Sequence, residues 1–113
     1  MALHIVEKKV DPVTVLQLSG HIILGEESVQ LRRKLENALS GQPRLVLDMA
    51  KVDYIDSAGL GTLVASFTTA EKQGARMVLA NLTQRLFVQL SITKLITAFE
   101  AFESVDAAVK ALS

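Results

Sequence analysis

The hydrophobic positions divide the chain into strand-like and helix-like stretches. Two apolar runs come first, Leu3 to Lys9 and Val13 to Leu18. The Asp11-Pro12 pair between them is a turn signal, so the pattern predicts a β-hairpin. Ser19-Gly20 is predicted to end the second strand, and His21 to Gly25 is predicted to be a connecting segment.

A helical pattern begins at Glu26. The apolar residues that follow recur every three or four positions, which is typical of one buried face of a helix. Its acidic first turn suits the positive end of the helix dipole, and Ser40-Gly41 is a usual helix stop. Arg44 to Met49 then predicts a short buried strand. The apolar residues of the helix are Leu31, Leu35, Ala38 and Leu39.

The stretch from Val52 to Leu63 (VDYIDSAGLGTL) changes from a strand pattern to a helix pattern. The helix is predicted to continue to about Gln73 and to stop at Gly74. Asp56 and Ser57 therefore fall at a strand-to-helix junction, where Asp and Ser oxygens commonly accept hydrogen bonds from first-turn amides. The apolar positions of this helix are Leu60, Leu63, Val64 and Phe67.

Strand and helix patterns alternate again in the last part of the chain. Ala75 to Ala80 predicts a strand, and Asn81 or Thr83 is predicted to cap a short helix. Ile96 to Phe102 has the alternation of a last strand, and Ser104 is predicted to cap a final helix. The apolar residues assigned to these helices are Leu82, Leu86, Phe87 and Leu90 in the first, and Val105, Ala108, Val109 and Leu112 in the second.

The order of the elements predicts the fold class. A hairpin followed by alternating helices and strands indicates βα units with right-handed crossovers. We therefore expect an α/β fold, a single domain over residues 1–113, with a mixed, mostly parallel β-sheet packed with about four α-helices. The residues expected to be buried in its core are Leu47, Ile55, Leu63 and Val78.

Composition narrows the function classes. Half of the 113 residues are apolar, and twelve basic residues balance twelve acidic ones. A neutral chain without a basic run lacks the electrostatic footprint of a nucleic-acid or membrane-surface binder. The chain has no cysteine for a disulfide or a thiolate metal site, no signal-peptide pattern and no apolar run of the ~20 residues that a membrane helix needs. We expect a cytoplasmic protein without nucleic-acid or membrane partners.

Hydrolytic chemistry has little support in the sequence. Ser57 as a nucleophile would need a general base, usually a histidine held by an acid. The histidines are His4 and His21, both near the N-terminal hairpin. The Gly-x-Ser-x-Gly motif is only half met, because position 55 is Ile and position 59 is Gly. We therefore predict no enzyme activity and no catalytic residue.

Nucleotide and metal sites are also poorly supported. Gly59-Leu60-Gly61 completes no dinucleotide fingerprint, and no P-loop lysine follows it. Asp48, Asp53 and Asp56 lie close in sequence, but we interpret them as strand-end and cap residues rather than as metal ligands. No cofactor and no metal ion are predicted.

Ser57 has two interpretations, an ordinary helix cap and a phosphoacceptor. A phosphate there would bring about −1.5 to −2 charges. The helix dipole and free amides would help the fold to tolerate that charge, whereas the neighbouring Asp56 would oppose it. Gly59 and Gly61 remove side-chain bulk from the first turn, so a partner surface can approach the backbone closely. Phosphorylation would then disrupt a docking surface while the domain stays folded.

The octapeptide from Tyr54 to Gly61 (YIDSAGLG) resembles the phosphorylation-site motif of the STAS-domain anti-sigma factor antagonists, also called anti-anti-sigma factors. The resemblance extends along almost the whole chain and implies a STAS fold. The other stretches that carry it are Leu16-x-Leu18-x-Gly20, Arg44 to Asp48, Gly74 to Leu82 and Leu86 to Leu95.

The resemblance also implies a function. Such a protein binds an anti-sigma factor serine kinase of the GHKL ATPase type and thereby frees the sigma factor. The kinase then phosphorylates the serine that matches Ser57, the complex dissociates, and a serine phosphatase resets the switch. We expect a monomer or a weak homodimer. The partner-binding residues that the resemblance implies are Asp56, Ser57, Ala58 and Gly59, with the exposed side of the following helix through Thr62 and Ser66.

One departure from the family pattern lies near Ile23, where many members carry an aspartate and this chain has an apolar residue. That acid would face the phosphorylation loop, so kinase docking differs here or the partner is not a kinase. The alternative hypothesis is therefore a constitutive STAS scaffold with a non-kinase partner, in which Ser57 is only a cap.

Overall fold

The computed structural model describes residues 3–10, 12–41 and 44–113. Within these ranges the chain forms a sheet flanked by helices on both faces. Asp11 of the predicted hairpin turn lies outside the described residues. The strands are β1 (Leu3–Val10), β2 (Val13–Ile22), β3 (Arg44–Ile55), β4 (Arg76–Ala80) and β5 (Ala101–Phe102), and the helices are α1 (Glu26–Gly41), α2 (Ser57–Lys72), α3 (Gln84–Ile92) and α4 (Val105–Leu112).

The sheet confirms the predicted fold class. Its strands lie side by side in chain order, from β1 to β5. β1 and β2 are antiparallel, and the other neighbouring strands are parallel, so the sheet is mixed and mostly parallel. No helix within the described ranges is long and apolar enough to cross a membrane.

The core has two parts because side chains along a strand alternate between the two faces of a sheet. In β3, Leu45 and Leu47 lie on the face that is covered by α1, α2 and α3. Val46, between them, lies on the face that is covered by α4, where it packs with Ala108 and Leu112. The four residues expected to be buried, Leu47, Ile55, Leu63 and Val78, are all buried.

The prediction that Ser19-Gly20 ends β2 is wrong, because the strand continues through His21 to Ile22. Its register against β3 shifts between Gln17 and Ser19 and again between Gly20 and His21. Such irregularities bend a strand without ending it. Gly20 has a φ of 107°, a conformation that glycine adopts without strain. The longer strand brings Ile22 beside Ile55, where the next helix begins.

The prediction of a strand from Ile96 to Phe102 is also wrong for most of its length. Residues 96–98 form a short 3₁₀ helix, and only Ala101 and Phe102 pair with β4. The reason is packing: Phe99 is buried in the larger core and lies edge-on to Phe67, with ring centroids 5.4 Å apart. The apolar residues of this stretch face the core from a short helix and from the residue after it: Ile96 and Ala98 are partly buried, and Phe99 is buried.

The short helix α3 is capped by Thr83, whose Oγ1 accepts a hydrogen bond from the Leu86 N–H at 3.2 Å. Asn81, the other predicted cap, has a φ of 58° and donates instead to the Asp48 carboxylate. Leu86 and Leu90 are buried as expected. Phe87 is 51% exposed, so its assignment to the buried side of α3 is wrong.

We predict that Leu47→Ala will lower the free energy of unfolding by about 2–4 kcal/mol, because a buried leucine is replaced by a cavity. That loss is a large part of the roughly 5–15 kcal/mol that stabilises a small domain. Urea unfolding followed by circular dichroism measures it. The matched control is Leu24→Ala, which makes the same change at a side chain that is 76% exposed. Equal losses in the two variants would contradict the prediction.

Candidate partner-binding site at the β3–α2 junction

In the β3–α2 junction, residues 55–59, the side chain of Asp56 caps the start of α2. This residue has extended backbone angles (φ −90°, ψ −178°) and is the N-cap of α2. Its Oδ1 accepts a hydrogen bond from the Gly59 N–H at 2.8 Å, which satisfies one of the amides that a helix leaves free at its start. The predicted strand-to-helix junction is confirmed, and Asp56 has the capping role in it.

Asp56 also links the junction to the loop that follows β2. Its Oδ2 accepts a hydrogen bond from the Leu24 N–H at 2.8 Å, and its own N–H donates to the Ile22 carbonyl at 3.1 Å. The N–H groups of Gly59 and Leu24 favour the ionised carboxylate, so they hold the pKa of Asp56 below its ordinary value. One carboxylate therefore joins α2 to the end of β2.

Gly59 is required by packing inside the domain. A Cβ at this position would lie 2.2 Å from the Ile22 carbonyl oxygen, and 2.8 Å and 2.9 Å from the Cγ2 methyls of Ile22 and Ile55. Gly59 is buried, so the expectation that its backbone is open to a partner is wrong. A Cβ at Gly61 would have no neighbour within 4 Å, and this exposed position does leave room for a partner.

Ser57 is the first residue of α2 and is exposed. Because Asp56 is the N-cap, the interpretation of Ser57 as the helix cap is wrong. An exposed hydroxyl without that structural role is available for modification. Among the residues expected to bind a partner, Ser57 is thus the one whose exposure fits best.

The expected docking surface along α2 is only partly exposed. Ala58 and Thr62 are half-buried, and the Thr62 hydroxyl donates to the Ala58 carbonyl at 3.1 Å. Ser66 is only 7% exposed, so its placement on the exposed side of the helix is wrong. It lines a narrow space of about 80 Å³ together with Arg32 and Leu39 of α1. Ser66 therefore faces α1 rather than solvent.

Helix α3 also contacts the junction, and the sequence pattern did not lead us to predict this contact. The Gln89 side-chain amide donates to the Ile55 carbonyl, and Arg85 donates to the Asp53 carbonyl at 3.3 Å. The signal was present: two long polar side chains four residues apart on a mainly apolar helix share one side of it. They place α3 along the end of β3.

The aspartates and histidines near the sheet have separate surroundings. Asp48 is buried and accepts hydrogen bonds from the Ala50 N–H and the Asn81 amide, both at 3.1 Å. Asp53 is exposed and lies 4.0 Å from His21. Among the described residues, no group of three His, Cys, Asp or Glu side chains could hold a metal ion.

We predict that Ser57→Ala will change the free energy of unfolding by less than about 0.5 kcal/mol, since the serine is exposed and is not a cap. The matched control is Ser104→Ala. The Ser104 hydroxyl caps α4 by accepting from the Ala107 N–H at 3.0 Å, so its loss should cost about 0.5–2 kcal/mol. Chemical unfolding of the two variants tests this, and a larger loss at Ser57 would contradict the capping assignment.

Asp56 should contribute a pH-dependent part of the stability. Because its pKa is lowered in the folded state, the contribution is complete above the ordinary pKa and is lost as the pH falls through the folded-state pKa. Asp56→Ala should cost about 0.5–2 kcal/mol at pH 7 and less in acid. Asp56→Asn keeps one acceptor without a charge and is the control. Urea unfolding between pH 7 and pH 3 measures both, and a pH-independent gap between the Ala variant and wild type would contradict the assignment.

Comparison with known proteins identifies the family. The STAS domain model matches residues 4–108. An anti-sigma-B factor antagonist of Bacillus subtilis is 38% identical over 65 residues, which are 58% of this chain and 60% of that protein. A protein of the same name from Listeria monocytogenes is 39% identical over 51 residues, 45% of either chain. The matched part therefore spans less than two thirds of the length of these relatives.

Solved structures share the fold over nearly the whole chain. A Thermotoga maritima protein has a TM-score of 0.87 at 20% identity and is matched over 93% of its length and 96% of this chain. The anti-sigma factor antagonist SpoIIAA in its unphosphorylated form has a TM-score of 0.72 at 16% identity, with 96% of both chains covered. The phosphorylated form of the Bacillus protein has a TM-score of 0.75 at 16% identity, with 97% of this chain and 100% of that one covered. Since the family model also matches almost every residue, the chain belongs to the STAS domain family.

Proposed function

We propose that this protein is an anti-sigma factor antagonist whose partner binding is switched at Ser57. With a free hydroxyl it binds an anti-sigma factor serine kinase in the cytoplasm, and with a phosphate it releases the kinase until a phosphatase restores the serine. The observation that carries the proposal is the exposed Ser57 hydroxyl beside a capping aspartate. The curated relatives named anti-sigma-B factor antagonist support it.

The division of roles between Asp56 and Ser57 explains why a phosphate would act on the surface. The Asp56 carboxylate already accepts from the N–H groups of Gly59 and Leu24. A phosphate on Ser57 would have to displace that carboxylate to reach the same amides, and the two negative groups repel each other. The phosphate therefore points toward solvent, and about −1.5 to −2 charges are added at the start of α2.

The fold would tolerate this change because the positive end of the α2 dipole favours negative charge. SpoIIAA supports the same view, since its unphosphorylated and phosphorylated forms both resemble this fold with similar TM-scores. Phosphorylation would thus change the charge of one surface without rebuilding the domain.

The chemistry of the switch belongs to the partner. When the Ser57 Oγ forms a bond to the γ-phosphorus of ATP, the bond from that phosphorus to ADP breaks and the hydroxyl proton leaves to the kinase or to solvent. This chain contributes an acceptor hydroxyl and a docking surface. We therefore propose a binding module rather than an enzyme.

We predict that Ser57→Ala protein used as bait in a lysate of the native host will retain a GHKL-type serine kinase, whereas Ser57→Glu protein will lose it. A negative charge at Ser57 would oppose docking in the same direction as a phosphate. The matched control is Ser40→Glu, which adds the same charge at an exposed serine near the end of α1 and should retain the kinase. Protein phosphorylated at Ser57 is the stronger comparison, because Glu carries less charge.

The outcome separates the switch from a constitutive scaffold. If the Ala and Glu baits retain the same non-kinase protein, or the Glu and phosphorylated forms bind the kinase as tightly as the Ala form, the proposal is wrong. Size-exclusion chromatography with light scattering adds a second measurement. The switch predicts a monomer or a weak homodimer, and a stable oligomer that is indifferent to changes at Ser57 favours the scaffold.

A further inference from the structure

Leu24 and Ile92 are the most exposed large apolar side chains in the part of the chain that the structure describes, at 76% and 75%. A single exposed leucine or isoleucine is common on protein surfaces and needs no explanation. These two differ from that ordinary case by their position, because both come from segments that are hydrogen-bonded to the β3–α2 junction.

Leu24 lies in the loop after β2, and its own N–H donates to Asp56. Ile92 is the last residue of α3, three positions after Gln89, so the two share one side of that helix. Gln89 in turn donates to the carbonyl of Ile55. The two apolar side chains are therefore carried by two separate segments, and each segment is hydrogen-bonded to the junction that contains Ser57.

We propose that Leu24 and Ile92 are the apolar contacts that the serine kinase covers when it docks on Ser57. The inference rests on the proposed function and names the surface that this function uses. Phosphate transfer requires the γ-phosphate to lie about 3–3.5 Å from the Ser57 Oγ in a site that is closed to water. Any kinase that modifies Ser57 must therefore cover the surface immediately around it.

The size of an ordinary interface supports this occupant. Each partner typically contributes about 800 Å², which is a disc of roughly 16 Å radius. The whole domain measures 30 × 26 × 24 Å. A kinase centred on Ser57 therefore covers most of this end of the molecule, including side chains carried by segments that are hydrogen-bonded to Ile55 and Asp56. Residues 23–25, which connect β2 to α1, include no charged residue, so this segment offers the kinase an apolar contact.

The same surface explains how a phosphate releases the kinase. A phosphate on Ser57 is strongly hydrated, and an interface that closes over Leu24 and Ile92 would have to remove water from it without supplying a partner charge. Release then needs no acidic group on the kinase. The part of the binding free energy that Leu24 and Ile92 supply is insensitive to salt, because apolar contacts are not screened by ions.

The test uses the purified kinase that the Ser57→Ala protein retains from the lysate. Each variant is made in the Ser57→Ala background, so that no phosphate is transferred during the measurement. Isothermal titration calorimetry measures the Kd. Leu24→Ser and Ile92→Ser should each weaken binding about tenfold. The matched control is Phe87→Ser, which removes a side chain that is 51% exposed on the opposite side of α3 from Gln89 and should change the Kd less than about twofold.

Each outcome decides between the two proposals. Unchanged binding by both the Leu24 and Ile92 variants, with folding confirmed by circular dichroism, would overturn the inferred surface while the phosphorylation switch stands. An equal loss in the Phe87 variant would also overturn it. If the Ser57→Ala protein retains no kinase, the proposed function fails and the inference fails with it.

Discussion

The rest of the β3–α2 junction depends on the two hydrogen bonds that the Asp56 carboxylate accepts. The carboxylate accepts from Gly59 within α2 and from Leu24 after β2, so one side chain sets the start of the helix and the position of the neighbouring loop. Gly59 completes the arrangement because only a residue without a Cβ can approach the Ile22 carbonyl so closely. A change at either residue would alter helix and loop together.

This arrangement leaves Ser57 without structural duties. Asp56, just before it, is fixed as the helix cap, and Gly59, two residues after it, is packed closely against Ile22 of β2 and Ile55 of β3. A modified residue in a rigid surrounding changes the surface that a partner meets and leaves the core as it was. In this chain the exposed Ser57 hydroxyl therefore lies where the neighbouring backbone is held by hydrogen bonds and close packing.

The sequence predicted the elements whose hydrophobic period is long and regular, such as α1, α2 and α4, and it predicted the junction because Asp, Ser and Gly have distinct roles at helix starts. It failed where distant contacts decide. Phe99 packs in the core against the ring of Phe67, and Ser66 lies against α1. Gly59 is buried against Ile22, which lies in β2 beyond two irregularities of the strand. In each of these contacts the two residues are far apart in sequence, so the local pattern around either residue could not predict the contact.

The order of the strands in the sheet has a consequence for synthesis of the chain. Because β1 to β5 lie side by side in the order in which they are made, each new strand pairs with the one completed before it. The strand pairings therefore join elements that follow one another along the chain, and each parallel pair is connected by a segment that contains a helix. β2, β3 and α2, which supply Ile22, Asp56, Ser57 and Gly59, are complete by residue 72. The elements that carry the β3–α2 junction are thus present before α3, with its Gln89 contact to Ile55, has been synthesised.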